Sequence, residues 1–291
     1  MNAVGLNAFL PTPVTDDGAL LHSHLETMVD RVVGPDIQSI SVLGSIGIAP
    51  YLSRRQRREV VETAVAAAGS TPVVAGIGAL RTDDACRLAE DAARGGASML
   101  LLTPVSYLPL ASGEVYAHFK AVARVTDLPI CIYSNPATTG FTFGLPLLAQ
   151  LADLPTVRAA KLPLPTDTSI ADELATLRGS TDLVVGYSGD WGCAEALLQG
   201  ADCWHSVAAG LFPRVAGALT AAARAGNRQE AERLNNILAP LWSLFRKHGS
   251  IRVIYAAAAL LGQYDAHPPL PLRRLDRVYW PELFSAIAPL S

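Results

Sequence analysis

Hydrophobic positions along this chain follow two alternating patterns. Short, nearly continuous apolar runs recur at 4–10, 37–43, 72–76, 98–102, 129–133, 157–161, 182–187 and 202–206. Between them, at 23–33, 53–68, 82–94, 112–125, 145–151, 167–177, 190–199 and 212–225, apolar residues are interleaved with polar ones as on a one-sided helix. The first pattern predicts strands covered on both faces, and the second predicts helices packed along one side. The punctuation agrees. Ser23 with Glu26 reads as a capping box, and Ser53 as a second helix cap. Gly95-Gly96, Gly200 and Gly226 read as helix stops, and Asp16-Asp17-Gly18 as a turn. Pro146 sits in a first helical turn, where its missing N–H costs nothing.

Eight strand–helix units of about 25–30 residues predict an α/β fold, a (β/α)8 TIM barrel, over residues 1–226. Residues 227–291 read as a C-terminal helical part packed on the barrel, with helices at 229–248, 250–261 and 270–287. Pro268-Pro269 separates the last two. An open doubly wound sheet is the alternative. Its glycine fingerprint is not completed by Gly44-Ser45-Ile46-Gly47 or by Gly76-Ile77-Gly78.

Half the residues are hydrophobic and the formal charge is only −3, with no basic run. Nothing here supplies an electrostatic footprint for nucleic acid or an anionic membrane surface. No apolar run reaches the roughly 20 residues of a membrane span, and the first residues lack the pattern of a signal peptide. Cys86, Cys131, Cys193 and Cys203 form no CxxC pair and read as free thiols in a reducing, cytoplasmic compartment. Of the six histidines only His205 falls at a strand end, and no metal set emerges.

In such a barrel chemistry sits at the carboxyl ends of the strands. Those ends carry Pro11-Thr12-Pro13, Gly44-Ser45-Ile46, Thr103 to Tyr107, Tyr133-Ser134-Asn135-Pro136, Lys161, Tyr187 to Asp190, and His205-Ser206. The chain has three lysines, Lys120, Lys161 and Lys247, and only Lys161 lies on an apolar strand. Such a lysine either snorkels to solvent or stands in a dry site as a nucleophilic amine. Tyr133, one strand away, could move protons for a carbonyl reaction at that amine. The glycine-bearing loop at Ser45 could offer backbone N–H groups to a carboxylate.

These segments, with Leu102-Thr103-Pro104, Tyr133 through Gly140 and Gly189-Asp190, make the chain resemble the dihydrodipicolinate synthase and N-acetylneuraminate lyase family of pyruvate aldolases. The resemblance runs nearly the whole length. It implies a Schiff-base lyase with Lys161 as nucleophile, Tyr133 as proton carrier and Tyr107 reaching a neighbouring subunit's site. Ser45 and the backbone of Ile46 would hold the keto-acid carboxylate, and Thr138 would face substrate; His205 reads either as an acid/base or hydrogen-bond donor to substrate or as a ring packed beside Trp204. It implies no cofactor and no metal. The partners would be a 2-keto acid and an aldehyde, in a homotetramer built as a dimer of dimers. Several positions depart from the family pattern, among them Leu162-Pro163, where the resemblance puts Glu-Ala or a similar pair, and His205, where it puts a small or aliphatic residue. Ile46 stands where the resemblance puts a relay hydroxyl, Ile48 where it puts a glutamate, and Thr138 where dihydrodipicolinate synthase proper carries an arginine. The expected acceptor is therefore less anionic than aspartate semialdehyde. A keto-acid-binding barrel without efficient turnover is the alternative, with Ile46 as the feature favouring it.

Overall fold

The computed structural model describes residues 4–290. Eight parallel strands close into one barrel in chain order, the last hydrogen-bonded to the first. In sequence, with their following helices, they are β1 (Gly5–Phe9), α1 (His22–Val32), β2 (Ser39–Val42), α2 (Arg54–Ala68), β3 (Val73–Gly76), α3 (Thr82–Arg94), β4 (Met99–Leu102) and α4 (Ser112–Ala123). There follow β5 (Ile130–Tyr133), α5 (Pro136–Thr139), α6 (Leu145–Ala152), β6 (Val157–Pro163), α7 (Ile170–Arg178), β7 (Val184–Ser188), α8 (Asp190–Leu198), β8 (Cys203–Ser206) and α9 (Pro213–Arg224). The chain ends with α10 (Arg228–His248), α11 (Ser250–Leu260) and α12 (Trp280–Ile287). The closed barrel excludes the open-sheet alternative.

Alternation of side chains along each strand divides the core in two. One face points outward and joins the helices in a single large apolar cluster. The other points inward, where Phe9, Ile46, Val74, Met99, Leu101, Cys131, Tyr133 and Ala159 pack together. The apolar runs are continuous because each strand is covered on both sides.

Two helical expectations need correction. Ser23 does not cap α1. The helix begins at His22 with no side-chain cap, and the His22 ring instead bonds the Thr63 hydroxyl of α2 at 2.9 Å. The stretch 270–287 is helical only from Trp280, apart from one 3-10 turn at Arg277–Tyr279. Pro268, Pro269 and Pro271 lack the N–H groups a continuing helix would use, and the chain instead turns at Leu270-Pro271, where the Leu272 N–H donates to the Pro269 carbonyl at 3.0 Å. The short α5 was not foreseen, though Pro136 opens it as a first-turn proline. Ser53 does cap α2. Its hydroxyl accepts from the Gln56 N–H, and the Gln56 side chain accepts from the Ser53 N–H at 2.9 Å.

Carboxyl-terminal loops are held by specific contacts. Leu43 and Ile48 both adopt left-handed backbone angles, with φ of 62° and 49°. For branched or bulky side chains this is strained and must be imposed by the surroundings. They bracket the Gly44–Gly47 turn. The Leu43 carbonyl is driven so close to Gly76 that a Cβ there would collide with it. Buried Asp190 accepts from the Ser206 hydroxyl at 2.6 Å and from the N–H groups of Val207 and Ala208, joining α8 to the end of β8. Gly76→Ala is expected to destabilise the fold by about 1–3 kcal/mol through overpacking against backbone. Gly113→Ala, where a Cβ meets nothing, should leave stability at or above the parent. Urea denaturation of the two variants checks this.

Candidate active site

Lys161 lies near the carboxyl end of β6 and is 4% exposed. Its register partners are Tyr133 on β5 and Gly186 on β7. Its Nζ sits 3.8 Å from the centre of the Tyr133 ring and 5.0 Å from that of Phe9. Among the described residues no carboxylate forms an ion pair with it. The amine is therefore buried against aromatic faces and does not snorkel to solvent.

The Tyr133 hydroxyl donates to the Ser45 Oγ at 3.3 Å and accepts from the Asn135 Nδ2 at 2.9 Å. Burial is the largest single influence on this phenol and would raise its pKa. The charge of Lys161, with the contacts to Ser45, Asn135 and Lys161, outweighs it and leaves the phenol below its ordinary value. Burial raises the other enclosed tyrosines, Tyr187, Tyr255 and Tyr264, instead. Tyr133 is thus the buried tyrosine suited to exchanging a proton.

The Ser45 result corrects one expectation. The hydroxyl next to the Tyr133 phenol belongs to Ser45, not to position 46, so Ile46 does not interrupt that contact. The Ile46 side chain is buried among the barrel's inward residues. Ile48 is fully buried in the outer core, so it removes no polar group from the pocket wall. Ser45 itself is exposed at the mouth. The N–H groups of Ser45, Ile46 and Gly47 donate no hydrogen bond within the protein among the described residues. Three free donors on one turn are a site for an anion. The turn is braced from below. The Thr12 hydroxyl donates to the Gly47 carbonyl at 2.8 Å, and Tyr255 of α11 donates to the Thr12 carbonyl at 2.9 Å.

The other expected residues are placed unequally. His205 points into the barrel, is 4% exposed, and packs edge-on to Phe9 with centroids 5.8 Å apart. Burial, with the Lys161 charge second, holds its imidazole well below the ordinary histidine pKa, so it is neutral. Thr138 is exposed in α5, where its hydroxyl turns back to the Asn135 carbonyl. Tyr107 is 94% exposed, and the single chain does not bring it to Tyr133 or Ser45. Asn135, Phe9 and Gly186 were not singled out from sequence. Asn135 lies two residues after Tyr133, so its position within the strand-end segment was the available signal. The thiols are free, and burial pushes Cys131 up to about 12 and raises Cys203 and Cys193 as well. Among the described residues no group of His, Cys, Asp and Glu is arranged to hold a metal ion. Cavities of about 900 Å³ beside Arg252 and Arg273, and of about 250 Å³ outside β6, are not lined by Lys161 or Tyr133.

A parallel barrel with an amine and a phenol stacked at its carboxyl-terminal mouth has the architecture of the class I lyases, which work through a lysine. Comparison with known proteins agrees. The model of the dihydrodipicolinate synthetase family matches residues 2–288, and the chain belongs to this family. A 4-hydroxy-tetrahydrodipicolinate synthase of Alcanivorax borkumensis is 33% identical, over 94% of this chain and 93% of that protein. The crystal structure of a dihydrodipicolinate synthase from Agrobacterium tumefaciens is 47% identical, with a TM-score of 0.97 over 100% of this chain and 99% of that one. The chloride-inhibited dihydrodipicolinate synthase of Acinetobacter baumannii, solved with pyruvate, is 28% identical. Its TM-score is 0.91, over 98% of each chain. This chain is accordingly an enzyme, a lyase of the pyruvate-dependent aldolase type.

Removing the Asn135 donor should raise the Tyr133 pKa, because that hydrogen bond favours the phenolate. Spectrophotometric titration of Asn135→Ala, with Tyr133→Phe subtracted as baseline, is expected to show the phenolate forming at higher pH than in the parent.

Proposed function

We propose that this protein joins pyruvate or another 2-keto acid to Lys161 as a Schiff base and uses that adduct for aldol cleavage, aldol condensation or dehydration. The carrying observation is the buried Nζ lying 3.8 Å from the ring of a tyrosine whose hydroxyl is held by Ser45 and Asn135. The neutral amine attacks C2, and the keto oxygen takes up a proton from Tyr133. The nitrogen returns a proton to the Tyr133 phenolate, and the resulting carbinolamine, protonated on its hydroxyl by Tyr133, loses water to give the iminium. That cation is the electron sink that lowers the cost of a carbanion at C3. Ser45 and the N–H of Ile46 receive the carboxylate, which the unpaired donors of that turn support. A relative solved with pyruvate supports a keto acid of that kind.

Thr138 and His205 face the rest of the substrate. With an exposed threonine at position 138, the acceptor is less anionic than aspartate semialdehyde. Tyr107 completes the site of a neighbouring copy in a homotetramer, which its exposure favours. The binding-barrel alternative drew on Ile46. With Ser45 bonded to Tyr133, that feature no longer speaks for it.

Incubation with pyruvate and borohydride should yield one covalent adduct by intact mass, absent in Lys161→Ala. An adduct that persists in the variant overturns the assignment. Tyr133→Phe is expected to slow adduct formation by about 10²–10⁴-fold, the usual reach of a positioned proton donor. Quenched time courses measure it.

A further inference from the structure

A cleft of about 900 Å³ lies outside the barrel, between the loop after β1, the start of α11 and the stretch 267–279. That volume suits a metabolite-sized ligand. Its lining is of two kinds. Leu270, Leu272 and Tyr279 supply apolar surface, and Arg252 and Arg273 supply guanidinium groups.

Charge is unevenly spread along this chain. Residues 247–277 hold five lysines and arginines against two aspartates, whereas the whole chain has a formal charge of −3. The carboxylates near the cleft are already engaged. Asp265 pairs with Arg274, whose hydrogen bond holds that carboxyl below the usual range, with smaller help from His267 and Arg277. Asp276 accepts from the Val278 N–H at 3.1 Å, and Asp16 faces His267 at 3.4 Å. Among the described residues no carboxylate forms an ion pair with Arg252 or Arg273. The Arg252 Nη1 donates to the His248 carbonyl at 3.3 Å, which places the group without neutralising it.

The frame carrying these two arginines is pinned. The Leu275 N–H donates to the Arg252 carbonyl at 3.0 Å, and the Trp280 Nε1 donates to the Leu275 carbonyl at 3.1 Å. Pro268, Pro269 and Pro271 fix φ along the turn before Arg273. The His248 ring stacks on Tyr279 with centres 4.2 Å apart. One guanidinium on a helix and one on a segment tied to that helix therefore line a single preformed cleft. An anion held by both gains two charge-assisted pairs with little backbone ordering.

We propose that this cleft is a binding site for a small organic polyanion bearing carboxylate or phosphate groups, with Arg252 and Arg273 as its charged contacts. Leu270 and Leu272 receive the carbon body of the ligand. The site is separate from the chemistry at Lys161 and stands whether or not a Schiff base forms there.

Isothermal titration calorimetry of the full chain tests it, at about 0.15 M salt, where loose attraction between exposed charges is largely screened. The probes are citrate and fructose 1,6-bisphosphate. One site per chain is expected, and the probe that binds more tightly assigns the ligand as carboxylate or phosphate. Arg252→Gln and Arg273→Gln should each weaken that binding about tenfold or more, the loss of one charged hydrogen bond. Both residues are exposed, so the fold does not rest on either. Arg124→Gln removes the same charge from an exposed position at the end of α4 and should leave binding unchanged. Absence of saturable binding with both probes overturns the proposal. Binding that both cleft variants leave unchanged also overturns it, because the anion then sits elsewhere, as at the Ser45 turn. Binding that Arg124→Gln weakens as much as the cleft variants do marks general charge attraction and overturns it too.

Discussion

Closure of the sheet is the constraint on which everything else depends. With β8 bonded to β1 there is no edge, and alternate residues of every strand are forced into an interior that side chains fill completely. A lysine on such a strand cannot swing outward. Lys161 lies two residues beyond the buried Ala159, on the same inward face, and the ring of Tyr133 occupies the space beside it. The burial of the amine, its stacking and its isolation from carboxylates all follow from where the chain places one residue on one closing strand.

Much of this was legible in the chain itself. Eight apolar runs separated by amphipathic segments imply a repeating parallel architecture, because only strands covered on both faces lose their alternation. The positions of Lys161 and Tyr133 at strand ends followed from counting units. Direction was the missing element. Position 46 looked like part of a polar relay, yet the turn sends its side chain into the barrel and leaves the Ser45 hydroxyl beside the phenol. Position 48 looked like a pocket wall, yet a left-handed backbone turns it into the outer core. Both errors arise where φ is positive or the chain reverses, so linear spacing no longer indicates which way a residue faces. Gly186 was invisible for another reason. Its importance lies in an absent side chain, and the His205 ring that a Cβ there would meet is on a different strand.

Local electrostatics sort chemically similar groups into different roles. Burial raises the thiols and three of the enclosed tyrosines, which makes them inert. The same burial acts on Tyr133, but a cation and polar contacts overcome it there. His205 experiences burial and cation with the opposite sign of response, since both disfavour its charged form. One amine thus helps set the protonation of a phenol on one side and of an imidazole on the other, and the site holds an ionisable acid and a neutral donor within a single layer of the barrel.

The strut from Tyr255 through Thr12 to Gly47 gives the C-terminal helices a part in ligand capture. A hydroxyl on α11 holds the loop after β1, and that loop holds the turn with three free N–H groups. Docking of α11 and occupancy of the turn are therefore linked equilibria, and linkage is reciprocal. An anion that orders the turn must tighten the grip on α11 by the same free energy. The last quarter of the chain would then respond to substrate with slower backbone exchange and greater resistance to proteolysis.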